Sequence, residues 1–152
     1  GDKLTYNGSE QSMVVKSVVL GGEDLLAAGD VTVTGNTVTN AGTYTLTVTA
    51  DEDSNYTGSI TKEFTVARLL ITPTVEVSGA PYTYLSTVES SAVTVKHGEI
   101  ALLEGVDYSI VETSTYNVGE NKGYVLIRCK ESSNYDFSSV NSYFTVIKAE
   151  NP

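Results

Sequence analysis

From Thr43 to Ala50 the chain alternates without a break: Tyr44, Leu46 and Val48 are apolar or aromatic, and Thr43, Thr45, Thr47 and Thr49 stand between them. A period of two sends successive side chains to opposite faces, so this is a half-buried strand with a threonine ladder toward solvent. Ile60, Phe64 and Val66 repeat the pattern around Lys62, and the pairs Val31/Val33, Val75/Val77 and Val93/Val95 mark further strands. The pattern predicts strands near residues 3–6, 12–20, 30–34, 43–50 and 59–67, then near 73–78, 91–97, 106–112, 122–130 and 138–148. No segment sustains a helical period. Only residues 23–28 (Glu-Asp-Leu-Leu-Ala-Ala) suit a turn or two of helix, which Gly29 would stop.

Turn residues that tolerate positive φ separate these runs, among them Asn7-Gly8, Gly21-Gly22, Gly35-Asn36, Ser78-Gly79, Gly119 and Gly123. Their spacing suits an antiparallel meander or sandwich. Several phrases also recur. Ser54-Asn55-Tyr56 returns as Ser133-Asn134-Tyr135, 79 positions later, and Phe64-Thr65-Val66 returns as Phe144-Thr145-Val146, 80 later. Gly22-Glu23 matches Gly98-Glu99 at a spacing of 76. Three ordered matches at nearly one period predict a duplicated folding unit, the first over residues 1–70 and the second, diverged, over 71–152. The fold class expected is all-β: two tandem Ig-like sandwich domains, with smaller β-grasp-like or meander units as the alternative.

Each unit is small enough to be marginal alone. Leu69-Leu70-Ile71 is too apolar for a flexible tether, so these three residues are expected to be buried in a stiff junction. Tyr56 and Tyr135 are expected to plug equivalent corners, each hydroxyl on a backbone group.

Charge narrows the partners. Residues 1–70 carry nine acidic and four basic side chains and residues 71–152 carry ten and five, so each half contributes −5 to the net −10. A uniformly acidic surface repels phosphate backbones and anionic membranes, so neither nucleic acid nor a membrane is an expected partner. Such acidity suits a soluble monomer. No apolar run approaches the ~18 residues of a membrane span, and no signal peptide is present. The abrupt start at Gly1-Asp2 predicts a fragment excised from a larger protein.

Residues 40–48 (Asn-Ala-Gly-Thr-Tyr-Thr-Leu-Thr-Val), 54–59 (Ser-Asn-Tyr-Thr-Gly-Ser), 64–66 and 102–108 (Leu-Leu-Glu-Gly-Val-Asp-Tyr) resemble the mostly-β, glycine-containing repeats of bacterial cell-surface proteins, of the MBG type and related Ig-like modules. The opening Tyr6-Asn7-Gly8-Ser9 is similar to the phrase that starts such repeats. The likeness covers essentially the whole chain and is stronger in residues 4–67. The second copy departs from it, with Gly42-Thr43-Tyr44 reduced to Gly123-Tyr124 and the opening phrase to Tyr82-Thr83-Tyr84-Leu85. The resemblance implies a secreted or surface-anchored bacterial protein whose modules are spacers or adhesive elements, with no catalytic signature to carry over.

The residues themselves offer little chemistry. His97 is the only histidine, so no other imidazole could serve a Ser-His-Asp or Cys-His arrangement, and it reads as an exposed loop residue. Cys129 is the only cysteine. It alternates with Val125 and Ile127 and reads as a buried structural thiol. Transition metals have no histidine or cysteine cluster to bind. Asp51-Glu52-Asp53 is an acidic tip, read as a solvated hairpin end rather than a calcium site, because the glycine-bearing loop is missing and the second copy has Lys130-Glu131-Ser132. A lysine–asparagine crosslink is not expected: Lys3 has no asparagine in residues 59–67, and Asn141 has no lysine in residues 73–78.

No catalytic, cofactor or metal residues are therefore assigned. The expected function is a non-catalytic extracellular spacer or adhesin segment. The alternative is a glycan- or protein-binding module using exposed tyrosines, with Tyr82, Tyr84 and Tyr116 as candidates. An exposed aromatic patch in one copy only would separate the two.

Overall fold

The computed structural model describes residues 3–150, and its regular structure is all β apart from one 3-10 turn at Ser90–Ala92. The chain divides into two compact units, residues 1–69 and 70–152.

The first unit contains β1 (Leu4–Thr5), β2 (Gln11–Ser12), β3 (Val19–Leu20), β4 (Glu23–Asp24), β5 (Val31–Thr34), β6 (Thr37–Val38), β7 (Gly42–Ala50) and β8 (Ser59–Ala67). Its main sheet has the order β1-β8-β7-β5. β1 lies parallel to β8, with Leu4 opposite Val66, while the other pairs are antiparallel. The alternation read from residues 43–50 works as expected: Leu46 and Val48 face inward with Phe64 and Val66 to form the buried cluster. Each such side chain contributes roughly 1.5–3 kcal/mol on burial.

After β9 (Leu69–Leu70), the second unit contains β10 (Thr74–Val77), β11 (Tyr82–Thr83), β12 (Val93–His97), β13 (Ile100–Ala101), β14 (Tyr108–Ser114), β15 (Gly119–Cys129), β16 (Tyr135–Asp136) and β17 (Val140–Ile147). Its main sheet has the order β11-β17-β15-β14, with β11 parallel to β17. A second sheet has the order β10-β12-β13.

The two main sheets share their strand order and much of their register. Val48 faces Ile60 and Leu46 faces Lys62 in one; Ile127 faces Val140 and Val125 faces Ser142 in the other. Tyr44 opposite Phe64 corresponds to Gly123 opposite Phe144, and Gly42 opposite Val66 to Gly119 opposite Val146. Two extra residues between Gly119 and Gly123 break the register there. The loss of the Tyr44 ring at Gly123 is offset from another strand. Tyr82 of β11 packs on Phe144 at 4.9 Å between centroids, as Tyr44 packs on Phe64 at 5.7 Å.

Several expectations need correction. The strand expected over 12–20 is two short pieces, because β2 pairs with β6 and β3 with β4, while residues 13–18 belong to no strand. The helical turn expected at 23–28 is a single turn. Ala28 N–H donates to Asp24 C=O at 3.2 Å, and Gly29 at φ 79° stops it. The hairpins β3–β4 and β12–β13 align Leu20 with His97 and Glu23 with Ile100, so Gly21 rather than Gly22 corresponds to Gly98. At the junction only Ile71 is buried, and Leu70 is exposed. Ile71 is held within the second unit, its N–H donating to Asp136 C=O at 2.9 Å.

Candidate functional site

The main sheet of the second unit carries on one face a group of side chains that the main sheet of the first lacks. β15 runs between β14 and β17, and its inward positions Val125 and Ile127 are fully buried. Tyr124 and Leu126 are out of phase with them and so lie on the opposite face. Tyr143 stands directly across from Tyr124, and Asn141 across from Leu126. Glu112 of β14 completes the group. Together these five residues line a shallow cavity of about 210 Å³.

Tyr143 is 58 % exposed, and its ring lies 6.3 Å from that of Tyr124 at an interplanar angle of 57°. The Tyr124 hydroxyl donates to Glu112 Oε1 at 2.7 Å. That hydrogen bond to a carboxylate raises the phenol above its ordinary range, with desolvation adding to it. The arrangement presents a tilted aromatic pair beside a carboxylate and an amide. Its chemistry is stacking on an apolar face together with hydrogen bonding at the edge. At the matching positions the first unit has Thr34, Thr45, Thr47, Thr61 and Glu63, with no aromatic ring.

The tyrosines expected to bind behave differently from one another. Tyr82 is half-buried on Phe144, and its hydroxyl donates to Ser78 C=O at 2.5 Å, so it is packing and not a platform. Tyr84 and Tyr116 are exposed. Tyr124 and Tyr143 escaped the sequence reading although the signal was present, since each immediately precedes a core residue, Val125 and Phe144, and must point the other way.

His97 is not a loop residue. It ends β12 opposite Ile100, half-buried, with its ring 5.8 Å from that of Tyr135. Tyr135 is buried. Tyr56 is only half-buried, and its hydroxyl donates to Glu23 Oε2 at 2.9 Å, a carboxylate and not the expected backbone group. This bond raises the Tyr56 pKa. Cys129 is half-buried, and its Sγ–H donates to Tyr135 C=O at 3.2 Å.

In the acidic tip, Asp51 Oδ1 accepts from Thr32 Oγ1 at 2.5 Å and Asp51 C=O accepts from Ser54 Oγ at 2.7 Å. Among the described residues no group of three His, Cys, Asp or Glu side chains is brought together in a way that could hold a metal ion. Asp24 serves the backbone instead. Its Oδ1 accepts from the N–H groups of Val18 and Leu26, both at 3.1 Å, and of Ala27 at 3.4 Å. The Val18 bond foremost holds its carboxyl below the ordinary range, against the opposing effect of desolvation.

No helix among the described residues is long and apolar enough to cross a membrane. The chain matches no protein-family model, and it has no significant match among curated proteins or solved structures.

Proposed function

We propose that this chain is a load-bearing structural segment of a bacterial surface protein, formed by two duplicated Ig-like units of the MBG type and performing no catalysis. The observation that carries this reading is the parallel strand at the edge of each main sheet. In the first unit Leu4 and Thr5 lie parallel to Val66 and Ala67, and Tyr6 N–H donates to Ala67 C=O at 2.8 Å. Pulling β1 and β8 apart along the chain loads these bonds together, in shear. An antiparallel pair would open one bond at a time. In the second unit β11 and β17 repeat the arrangement, with Tyr84 N–H on Ile147 C=O at 2.9 Å. The shared strand order and register support duplication.

Stretched from its two ends in a single-molecule experiment, the chain is expected to yield in two abrupt steps. Each should release on the order of 250 Å, the contour of about 70 residues. Smooth extension without steps would remove the load-bearing reading.

A second reading rests on the Tyr124–Tyr143 pair. An exposed aromatic patch in one unit only is what a glycan-binding module would show. A glycan array probed with the full chain and with Tyr143→Ala decides it. Saturable retention of one sugar class, lost in the variant, would establish a binding role. Equal, non-saturating signals from both proteins would leave the spacer reading alone.

A further inference from the structure

The first unit holds a groove that the second has filled. Residues 13–19 form one wall, Ile60 to Phe64 of β8 the other, and Leu46 and Val48 the floor. The groove encloses about 650 Å³. Ile60 on its rim is 62 % exposed, and Val14 and Val19 are exposed as well.

The register of the main sheets identifies the same place in the second unit. Leu46, Val48, Ile60 and Lys62 correspond to Val125, Ile127, Val140 and Ser142. Val18 corresponds to Val95, because Leu25 N–H donates to Val18 C=O as Leu102 N–H donates to Val95 C=O, at 2.7 and 2.8 Å. In the second unit β10 fills this place. It pairs antiparallel with β12, with Val75 opposite Val95 and Val77 opposite Val93. Ser142 Oγ donates to Val75 C=O at 3.2 Å, tying β10 to β17.

The consequences are visible residue by residue. With β10 in place Val95 is buried, whereas Val18 is half-buried; Val140 is half-buried, whereas Ile60 is exposed. Residues 93–97 form one strand, whereas of the matching residues 16–20 only Val19–Leu20 do. No described strand of the first unit occupies the β10 position.

We propose that the groove is a strand-acceptor site. Its occupant is an extended segment of about four residues, supplied from outside the first unit, that adds antiparallel to Lys16–Val19 by main-chain pairing. Its chemistry follows from β10. Valine or isoleucine at alternate positions faces Leu46 and Val48, one of them opposite Val18, and a polar residue lies between. The polar position is the one Glu76 holds in β10, opposite Thr94, where both side chains are exposed and face away from the floor.

The test uses the full chain with a second copy of residues 71–78 placed directly before Gly1; Leu4 corresponds to Tyr82, so Gly1 takes the place of Gly79 and the strand falls in register. Covalent attachment keeps the effective concentration high, so weak intrinsic affinity does not hide the effect. The expected result is slower amide exchange at residues 16–19, by about tenfold or more, with unit 1 melting at a higher temperature. A control with both added valines changed to serine should lose both effects. Unchanged exchange at residues 16–19 in the extended chain overturns the proposal. So does dimerisation of the unextended chain that protects the same amides, since the groove would then belong to a second copy.

Discussion

Gly123→Ala is expected to destabilise the second unit severely, on the order of 3 kcal/mol, although it adds one methyl group and Gly123 has ordinary negative φ. An added Cβ would sit 2.2 Å from Phe144 Cε2, 2.6 Å from Phe144 Cδ2 and 2.7 Å from Val146 Cγ2. Phe144 has nowhere to retreat, because it is buried and Tyr82 packs on it at 4.9 Å. The melting temperature of that unit should fall by roughly 10 °C or more, given its size. Exchange of β15 and β17 amides should quicken while β7 and β8 stay protected. Adding Phe144→Leu should recover part of the loss, a coupling that a simple change in backbone propensity would not produce. Gly119→Ala is the contrast: its nearest clash, at 2.9 Å, is with Lys122 Cγ, part of a flexible side chain, although its φ of 143° adds strain. A Gly123→Ala variant that melts with the parent would show that the Tyr82–Phe144 packing yields.

How far the sequence could be read depended on whether the information was local. The strict alternation of residues 43–50 identified the inward set Tyr44, Leu46 and Val48, because strand geometry alone fixes which side chains share a face. It could not reveal that β1 pairs with β8, since period two says which way a residue points and nothing of its neighbour. Residues 13–18 (Met-Val-Val-Lys-Ser-Val) are rich in β-branched residues, but whether they form a strand depends on a partner. The second unit has that partner in β10. Tyr124 and Tyr143 were legible through their phase against Val125 and Phe144. His97 was misread because the following Gly98 suggested a loop, while its Tyr135 contact joins residues 38 positions apart. Reading the two halves against each other also concealed substitutions between strands. Tyr82 replaces the ring of Tyr44 from a different strand, which no alignment of like with like would show.

Asp107→Ala is expected to cost a further few kcal/mol, by a route equally invisible in the sequence. Asp107 is nearly buried, and its two carboxylate oxygens are divided between two loops. Oδ1 accepts from Ser133 Oγ at 2.7 Å, and Oδ2 accepts from Leu103 N–H at 2.9 Å. Ser133 is itself buried and accepts from Tyr135 N–H at 3.0 Å, so the carboxylate indirectly positions the buried tyrosine. The backbone of Asp107 adds a third tie, its C=O accepting from Lys130 N–H at 2.9 Å. Alanine would keep that tie and strip both side-chain acceptors, leaving two donors unsatisfied at about 1–3 kcal/mol for each that stays buried. The first unit meets the same need differently. There the Leu26 amide is satisfied by Asp24, and the Ser54 hydroxyl donates to Asp51 C=O. Asp24→Ala and Asp107→Ala should therefore each loosen only its own unit, with amide exchange rising near Leu26 in one and near Leu103 and Tyr135 in the other. Asp107→Ala combined with Ser133→Ala should cost clearly less than the sum of the single changes, because removing the hydroxyl also removes the donor left stranded. Strict additivity in chemical denaturation would mean that the Ser133–Asp107 hydrogen bond contributes nothing to the stability of the second unit.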